Sequence, residues 1–216
     1  MCLSRRHFTA LCGAACLLPH HVISEESPLA TLHGALDIEH FKAKQALRIS
    51  AKQSQTVFST GKDAFLVDEN FEAEMTIADG GLTQSLALIS GQVLAVFEPR
   101  KNRQSELLLP NATGSIRGTG FFSSVSDAHD FDYLCCCYGA IDISCRANNN
   151  TKSLETSYHN AVTITKEGDF GKSPFGVPYQ HFDDELVMLE RQLGRRPHWQ
   201  LPNDNMKFLA PHKLPL

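Results

Sequence analysis

The chain has 216 residues, 42% hydrophobic and 20% charged, with 20 basic against 24 acidic side chains and a formal net charge of −4. That length suits one domain with or without an extension, and the apolar share is enough for a core, which argues against wholesale disorder. There is no polycationic footprint, so nucleic acid is not an expected partner, and no apolar run reaches the roughly 20 residues of a membrane-spanning helix.

The N-terminus reads as an address. Ser4-Arg5-Arg6-His7-Phe8 sets a pair of arginines ahead of a weakly apolar run from Thr9 to Leu18, the order of a twin-arginine signal peptide. Residues 1–30 are expected to be this signal and a polar linker, Ser24-Glu25-Glu26-Ser27-Pro28. The expected location is a Gram-negative periplasm. Ala14-Ala15-Cys16 resembles the end of a lipoprotein signal, although Gly13 sits where a larger aliphatic residue is usual. Lipid anchoring at Cys16 is therefore the lesser alternative. Cys2, Cys12 and Cys16 belong to the presequence, which leaves Cys135, Cys136, Cys137 and Cys145.

From about Ala35 the pattern becomes short β-like runs cut by Gly, Asn and Asp. Thr56-Val57-Phe58 and Ala64-Phe65-Leu66-Val67 are two of them. Phe71 to Ile77 alternates with period two and breaks at Asp79-Gly80-Gly81. Leu82 to Ile89 and Gln92 to Phe97 come next, separated by Gly91, and then Ile116 to Phe122 and Phe131 to Cys145. These predict a mainly β domain, solenoid-like or roll-like, over 35–147. An extension over 148–199 is expected to hold one more strand within Thr156 to Thr165 and a helix over 183–193. Asp183 suits the N-cap, Leu186, Leu189 and Leu193 form one face, and Gly194 suits the C-terminal stop. Residues 200–216 carry no pattern and are expected to form a mobile tail.

Four segments, "GKDAFLVDENFEAEM" from Gly61, "LALISGQVLAVF" from Leu86, "GSIRGTGFF" from Gly114 and "YLCCCYGAIDI" from Tyr133, resemble successive pieces of the FecR domain, the periplasmic domain named for the regulator of ferric-citrate uptake. The resemblance covers roughly 35–145, and its most specific element is Arg117-Gly118-Thr119. It implies a β-rich, solenoid-like fold. In the regulators this domain receives a signal from an outer-membrane receptor, and an N-terminal cytoplasmic segment controls a sigma factor. A twin-arginine presequence stands in that segment's place, so the chain resembles the stand-alone, exported members and the sigma-factor role is not implied. What the resemblance implies is a non-enzymatic protein of envelope sensing, or of interaction with an envelope protein or ligand whose identity is unknown. In some such members a Cys-x-Cys-Tyr-Gly strand precedes a downstream His and a His-x-Asp-x-Glu-Leu-like segment. Cys135, Cys137, His159 and His181-Phe182-Asp183-Asp184-Glu185-Leu186 match that order.

The competing reading is a metal-binding or redox protein. On a strand alternate residues share a face, so Tyr133, Cys135, Cys137, Gly139, Ile141, Ile143 and Cys145 form an uncharged, core-like set. Asp142 and Ser144 mark the opposite side. Cys135, Cys137 and Cys145 then read as small buried residues, unless a bend at Gly139 breaks the parity. The same parity lets two thiolates at i and i+2 reach one ion, zinc or another transition metal, with His159 and His181 completing Cys2His2. Asp183 is placed to orient His181, although N-capping explains it equally well. A disulfide through Cys145 and a Cys137–His159 nucleophile are the further options. No Gly-x-Ser-x-Gly elbow is present. Arg117-Gly118-Thr119-Gly120 lacks the Lys-Ser/Thr of a phosphate loop and is expected to serve close backbone approach or a bulge, with Arg117 in a structural ion pair. His129 and the basic run Arg100-Lys101-Asn102-Arg103 read as loop residues.

Overall fold

The structure is a computed structural model that describes residues 28–41, 46–53, 55–99, 104–126, 128–175, 178–197 and 199. The expected signal sequence through residue 27, the basic run 100–103 and the expected tail 200–216 lie outside the described residues.

The described residues form strands β1 (Ala30–His33), β2 (Leu36–Phe41), β3 (Ala46–Ala51), β4 (Thr56–Ser59), β5 (Ala64–Val67), β6 (Glu72–Ala78), β7 (Leu82–Val96), β8 (Ser105–Leu108), β9 (Ala112–Val125), β10 (Phe131–Cys145), β11 (Thr151–Thr156), β12 (Asn160–Thr165) and β13 (Phe170–Lys172), and then helix α1 (Asp183–Gln192). They make one open sheet in the order β1-β4-β5-β7-β8-β9-β10-β12-β13. The group β2-β3-β6 joins through β7, and β11 pairs with β10. Every pairing is antiparallel except the short parallel contact of β8 on β7. The expected mainly β architecture with one C-terminal helix is the architecture found. Among the described residues no helix is long and apolar enough to cross a membrane.

Two long strands turn corners at glycines. The first half of β7 pairs with β6, and beyond Gly91 the strand pairs with β5 and β9. In β10 the first half pairs with β12, and from Gly139 onward it pairs with β11. Gly139 has φ +88°, and a Cβ there would sit 2.7 Å from the carbonyl oxygen of Gly118. Only glycine combines that backbone angle with that approach. Gly118, at φ +54°, faces Pro99 in the same way. The Arg117–Gly120 stretch is thus a strand bulge, as expected, and Arg117 Nη2 pairs with Asp142 at 3.0 Å.

The folded-back sheet encloses one core around Phe58, Phe65, Phe71, Phe97 and Phe121, with Phe58 stacked on Phe65 at 4.7 Å. Period-two alternation sends the intervening side chains the other way. Val57, Ala64, Leu94, Val96 and Phe122 form a second cluster on the outer face, covered by Leu186 and Leu189 of α1 and by Trp199.

Helix α1 matches the expected pattern at its end and departs from it at its start. Leu186 and Leu189 are fully buried, Leu193 is partly so, and Gly194 takes φ +68° while the Arg195 N–H donates to the carbonyl of Glu190. The N-cap is Phe182 rather than Asp183, and the Glu185 carboxylate accepts the Phe182 N–H at 2.8 Å. Asp183 opens the helix, and its carboxylate points elsewhere.

The single-face expectation for β10 fails past Cys137. Leu134, Cys136, Ile141, Ile143 and Cys145 belong to the enclosed core, whereas Tyr133, Cys135, Cys137 and Tyr138 belong to the outer cluster. Pairing with β9 shifts register between Cys136 and Tyr138 and again between Tyr138 and Ala140. An irregularity of this kind inverts the parity of the residues beyond it.

Candidate metal centre

Strand register brings the first three residues of the site together. Along the β10–β12 ladder Cys135 faces Ala161 and Cys136 faces Asn160. One step further His159 comes opposite Cys137, and its backbone N–H donates to the Cys137 carbonyl at 2.9 Å. The fourth residue, His181, arrives just ahead of α1 and lies flat on the Phe122 ring, with centroids 4.6 Å apart and planes 12° apart. Two of the four non-glycine residues with positive φ among the described residues are His159 (31°) and Gln180 (54°), next to His181. Such backbone persists only where surrounding contacts over-determine it, and it concentrates at functional sites.

The ligand atoms of Cys135, Cys137, His159 and His181 all lie within 4.8 Å of one another. Cys135 Sγ is 3.6 Å from His159 Nδ1, Cys137 Sγ is 3.4 Å from His181 Nε2, and the two imidazole nitrogens are 3.3 Å apart. A tetrahedral ion with bonds of about 2.3 Å to sulfur and about 2.0–2.1 Å to nitrogen sets edges of roughly 3.3 Å between nitrogens and roughly 3.6 Å between sulfur and nitrogen. The three measured separations match those edges. The cysteines are fully buried, His181 is 1% exposed and the His159 side chain 2%.

Each imidazole has its other nitrogen occupied. His159 Nε2 bonds Asp183 Oδ1 at 2.9 Å, and His181 Nδ1 bonds the Tyr179 carbonyl at 2.7 Å. With those two nitrogens donating, His159 Nδ1 and His181 Nε2 present their lone pairs to the thiols, the arrangement that fixes tautomers at metal sites. The expected role of Asp183 is corrected in one respect: it orients His159, not His181. Its second oxygen accepts the Tyr158 hydroxyl at 2.6 Å. Nothing in the sequence singles out Tyr158 except that it adjoins His159. The clamp behind the site is equally unmarked: the Tyr138 hydroxyl donates to Glu190, and Arg195 Nε donates to the same carboxylate at 2.6 Å.

The electrostatics separate the two thiols. A hydrogen bond from the Cys137 thiol acts first on Cys135. With those of His159 and His181, it outweighs burial and brings Cys135 down to about 4. Burial, and after it the neighbouring Cys135 charge, pushes the Cys137 thiol well up. Burial works against a charged His159, but hydrogen bonds to Asp183 and Cys135 override it and raise the ring to about 9. Burial likewise opposes the Asp183 carboxylate, and the His159 and Tyr158 hydrogen bonds hold it below its ordinary range.

The other sequence readings part from the geometry. Cys137 is fully buried with a raised thiol, the reverse of an activated nucleophile. All four cysteines are free. Cys145 packs in the enclosed core, beyond the corner at Gly139, and forms no disulfide. His129 stacks on Phe131 at 5.2 Å and takes no part.

No family model matches the chain, and no curated protein matches it. Two crystal structures of a candidate anti-sigma factor from Parabacteroides distasonis align with it at 8% and 7% identity, each with a TM-score of 0.38. The alignments cover 67% and 65% of this chain but 59% and 56% of those chains, so the match spans less than two thirds of their length. A likeness at this level carries no argument about what the chain does.

Proposed function

We propose that this is an exported, FecR-like β protein that binds one transition-metal ion, zinc foremost, at Cys135, Cys137, His159 and His181. The observation that carries this is the convergence of four donor atoms within 4.8 Å of one another, three of their separations being 3.3 to 3.6 Å, on buried side chains drawn from three places in the sequence. Four protein ligands leave no open coordination position, which marks structural rather than catalytic zinc. Two thiolates with two imidazoles also suit zinc better than magnesium, calcium or manganese, which take oxygen ligands. The reading therefore favours a non-enzymatic role in envelope sensing or interaction, with the metal organising the folded form.

The test is elemental analysis of protein purified from the periplasm without added metal. About one zinc or other transition-metal ion per chain is expected. A chain that carries none, and takes up none when zinc is offered to the reduced protein, removes the proposal. Export is a separate part of the reading and rests on Arg5 and Arg6. Changing both to Lys should hold the precursor in the cytoplasm of a host competent for twin-arginine transport, and normal periplasmic accumulation of that variant would sink the localisation.

A further inference from the structure

We propose that the centre is a latch: metal occupancy holds the arm formed by residues 179–197 and Trp199 against the outer face of the sheet, and metal loss releases it. This rests on the metal reading above and adds how the site acts.

The two hydrophobic clusters divide the chain. The residues of the enclosed core run from Leu29 to Ile164, and the arm contributes none of them. The sheet therefore closes its main core without α1. The outer cluster needs the arm, because Val57, Ala64, Leu94, Val96 and Phe122 are capped by Leu186, Leu189 and Trp199. Helix α1 lies closest to β5 and β7.

The ligands divide along the same line. Cys135, Cys137 and His159 belong to the sheet and its turn, while His181 belongs to the arm. Asp183, on the first turn of α1, reaches back to the sheet-side His159. A bound ion thus closes a covalent-like loop between strand β10 and the start of the arm. Leu186, Leu189 and Trp199, with the partly buried Tyr179, Met188 and Leu193, must otherwise order about twenty residues, and the entropy of ordering a segment of that length works against them. The remaining polar ties lie toward the solvent side except that of Glu190 to Tyr138: the Tyr158 hydroxyl donates to Asp183 at 2.6 Å, Arg195 Nη1 donates to the Lys62 carbonyl at 3.4 Å, and Gln92 Nε2 donates to Gln180 Oε1 at 2.8 Å, all three in exposed positions. A closing ion at the arm's root is what tips the balance, and its removal leaves a sheet whose enclosed core is intact and whose outer apolar face is bare. The occupant of that face is the chain's own arm, so the site reports metal supply as exposure of a surface.

The chain carries its own probe, because Trp199 is the single tryptophan and lies 7% exposed against Tyr138. The experiment compares the zinc-loaded full chain with the same protein stripped by chelator. It tracks Trp199 emission and amide hydrogen exchange in 183–192 and in β6 and β7. The latch predicts that stripping red-shifts Trp199 and speeds exchange in α1 at least tenfold, while β6 and β7 keep their protection. In His181→Ala, zinc offered to the three remaining ligands should leave α1 exchanging fast with or without metal. Stoichiometric zinc with unchanged α1 exchange and Trp199 emission would overturn the latch and spare the metal site. Loss of protection throughout the sheet on stripping would also overturn it, since the ion would then hold the whole fold. A parent chain that binds no zinc removes the metal reading itself, and the latch with it.

Discussion

Cys137→Ser should lose stoichiometric zinc and lower the thermal midpoint of the zinc-supplied protein by on the order of 10 °C. A ligand held at a thousand times its dissociation constant stabilises by about 4 kcal/mol. For a domain of this size each kcal/mol shifts the midpoint by about 2–4 °C. Unfolding the sheet must scatter Cys135, Cys137 and His159, so the ion resists global unfolding even though it also ties down the arm. The control variants lie in the same sequence run. Cys136→Ala and Cys145→Ala change side chains of the enclosed core, and both should keep the metal. Chelator should lower the midpoint of the parent and leave that of Cys137→Ser unmoved. Because thiolate and neutral imidazole are the binding forms, zinc affinity should fall as pH falls. Equal midpoints for zinc-supplied parent and Cys137→Ser, with equal metal content, would leave these cysteines as packing residues.

This pattern divides three adjacent cysteines by direction, and part of that division is legible in the sequence. The alternation that places Cys135 and Cys137 on one side of Cys136 needs only strand periodicity. The helix is legible from its leucines and its closing Gly194, and the long strands from their apolar runs. The state of Gly139 is not. One left-handed residue at a bulge moves Ile141, Ile143 and Cys145 to the opposite cluster from Cys135 and Cys137, and its φ is set by the approach of Gly118 from the neighbouring strand. Sequence patterns do not carry such non-local contacts. The same limit hides which histidine Asp183 serves. As a helix-opening carboxylate it satisfies local rules for an N-cap, and only the hairpin register that carries His159 past Cys137 shows its partner. The Tyr138–Glu190–Arg195 clamp spans more than fifty positions and has no local signature.

Leu189→Ala should cost the zinc-loaded protein about 2–5 kcal/mol, the range for removing a leucine from a packed site that cannot fully collapse. Leu189 is 0% exposed and sits with Leu186 in the cluster that joins α1 to the outer face of the sheet. The rigid sheet beneath it is poorly placed to fill the gap, because its other face is committed to the enclosed core. Leu193 lies on the same helix face but is only partly buried, so Leu193→Ala should cost clearly less. Metal and packing act on the same docking step, which makes their effects couple rather than add. With zinc bound, the arm stays anchored at His181 and the loss registers as a lower midpoint. With zinc stripped, Leu189→Ala should leave α1 exchanging at rates close to those of an unstructured segment, beyond what stripping does to the parent. Denaturant titration of the zinc-loaded forms and amide exchange of the stripped forms measure the two effects. Midpoints unchanged by Leu189→Ala in both forms would mean that α1 is not held by this apolar face, and the outer cluster would lose its role in docking the arm.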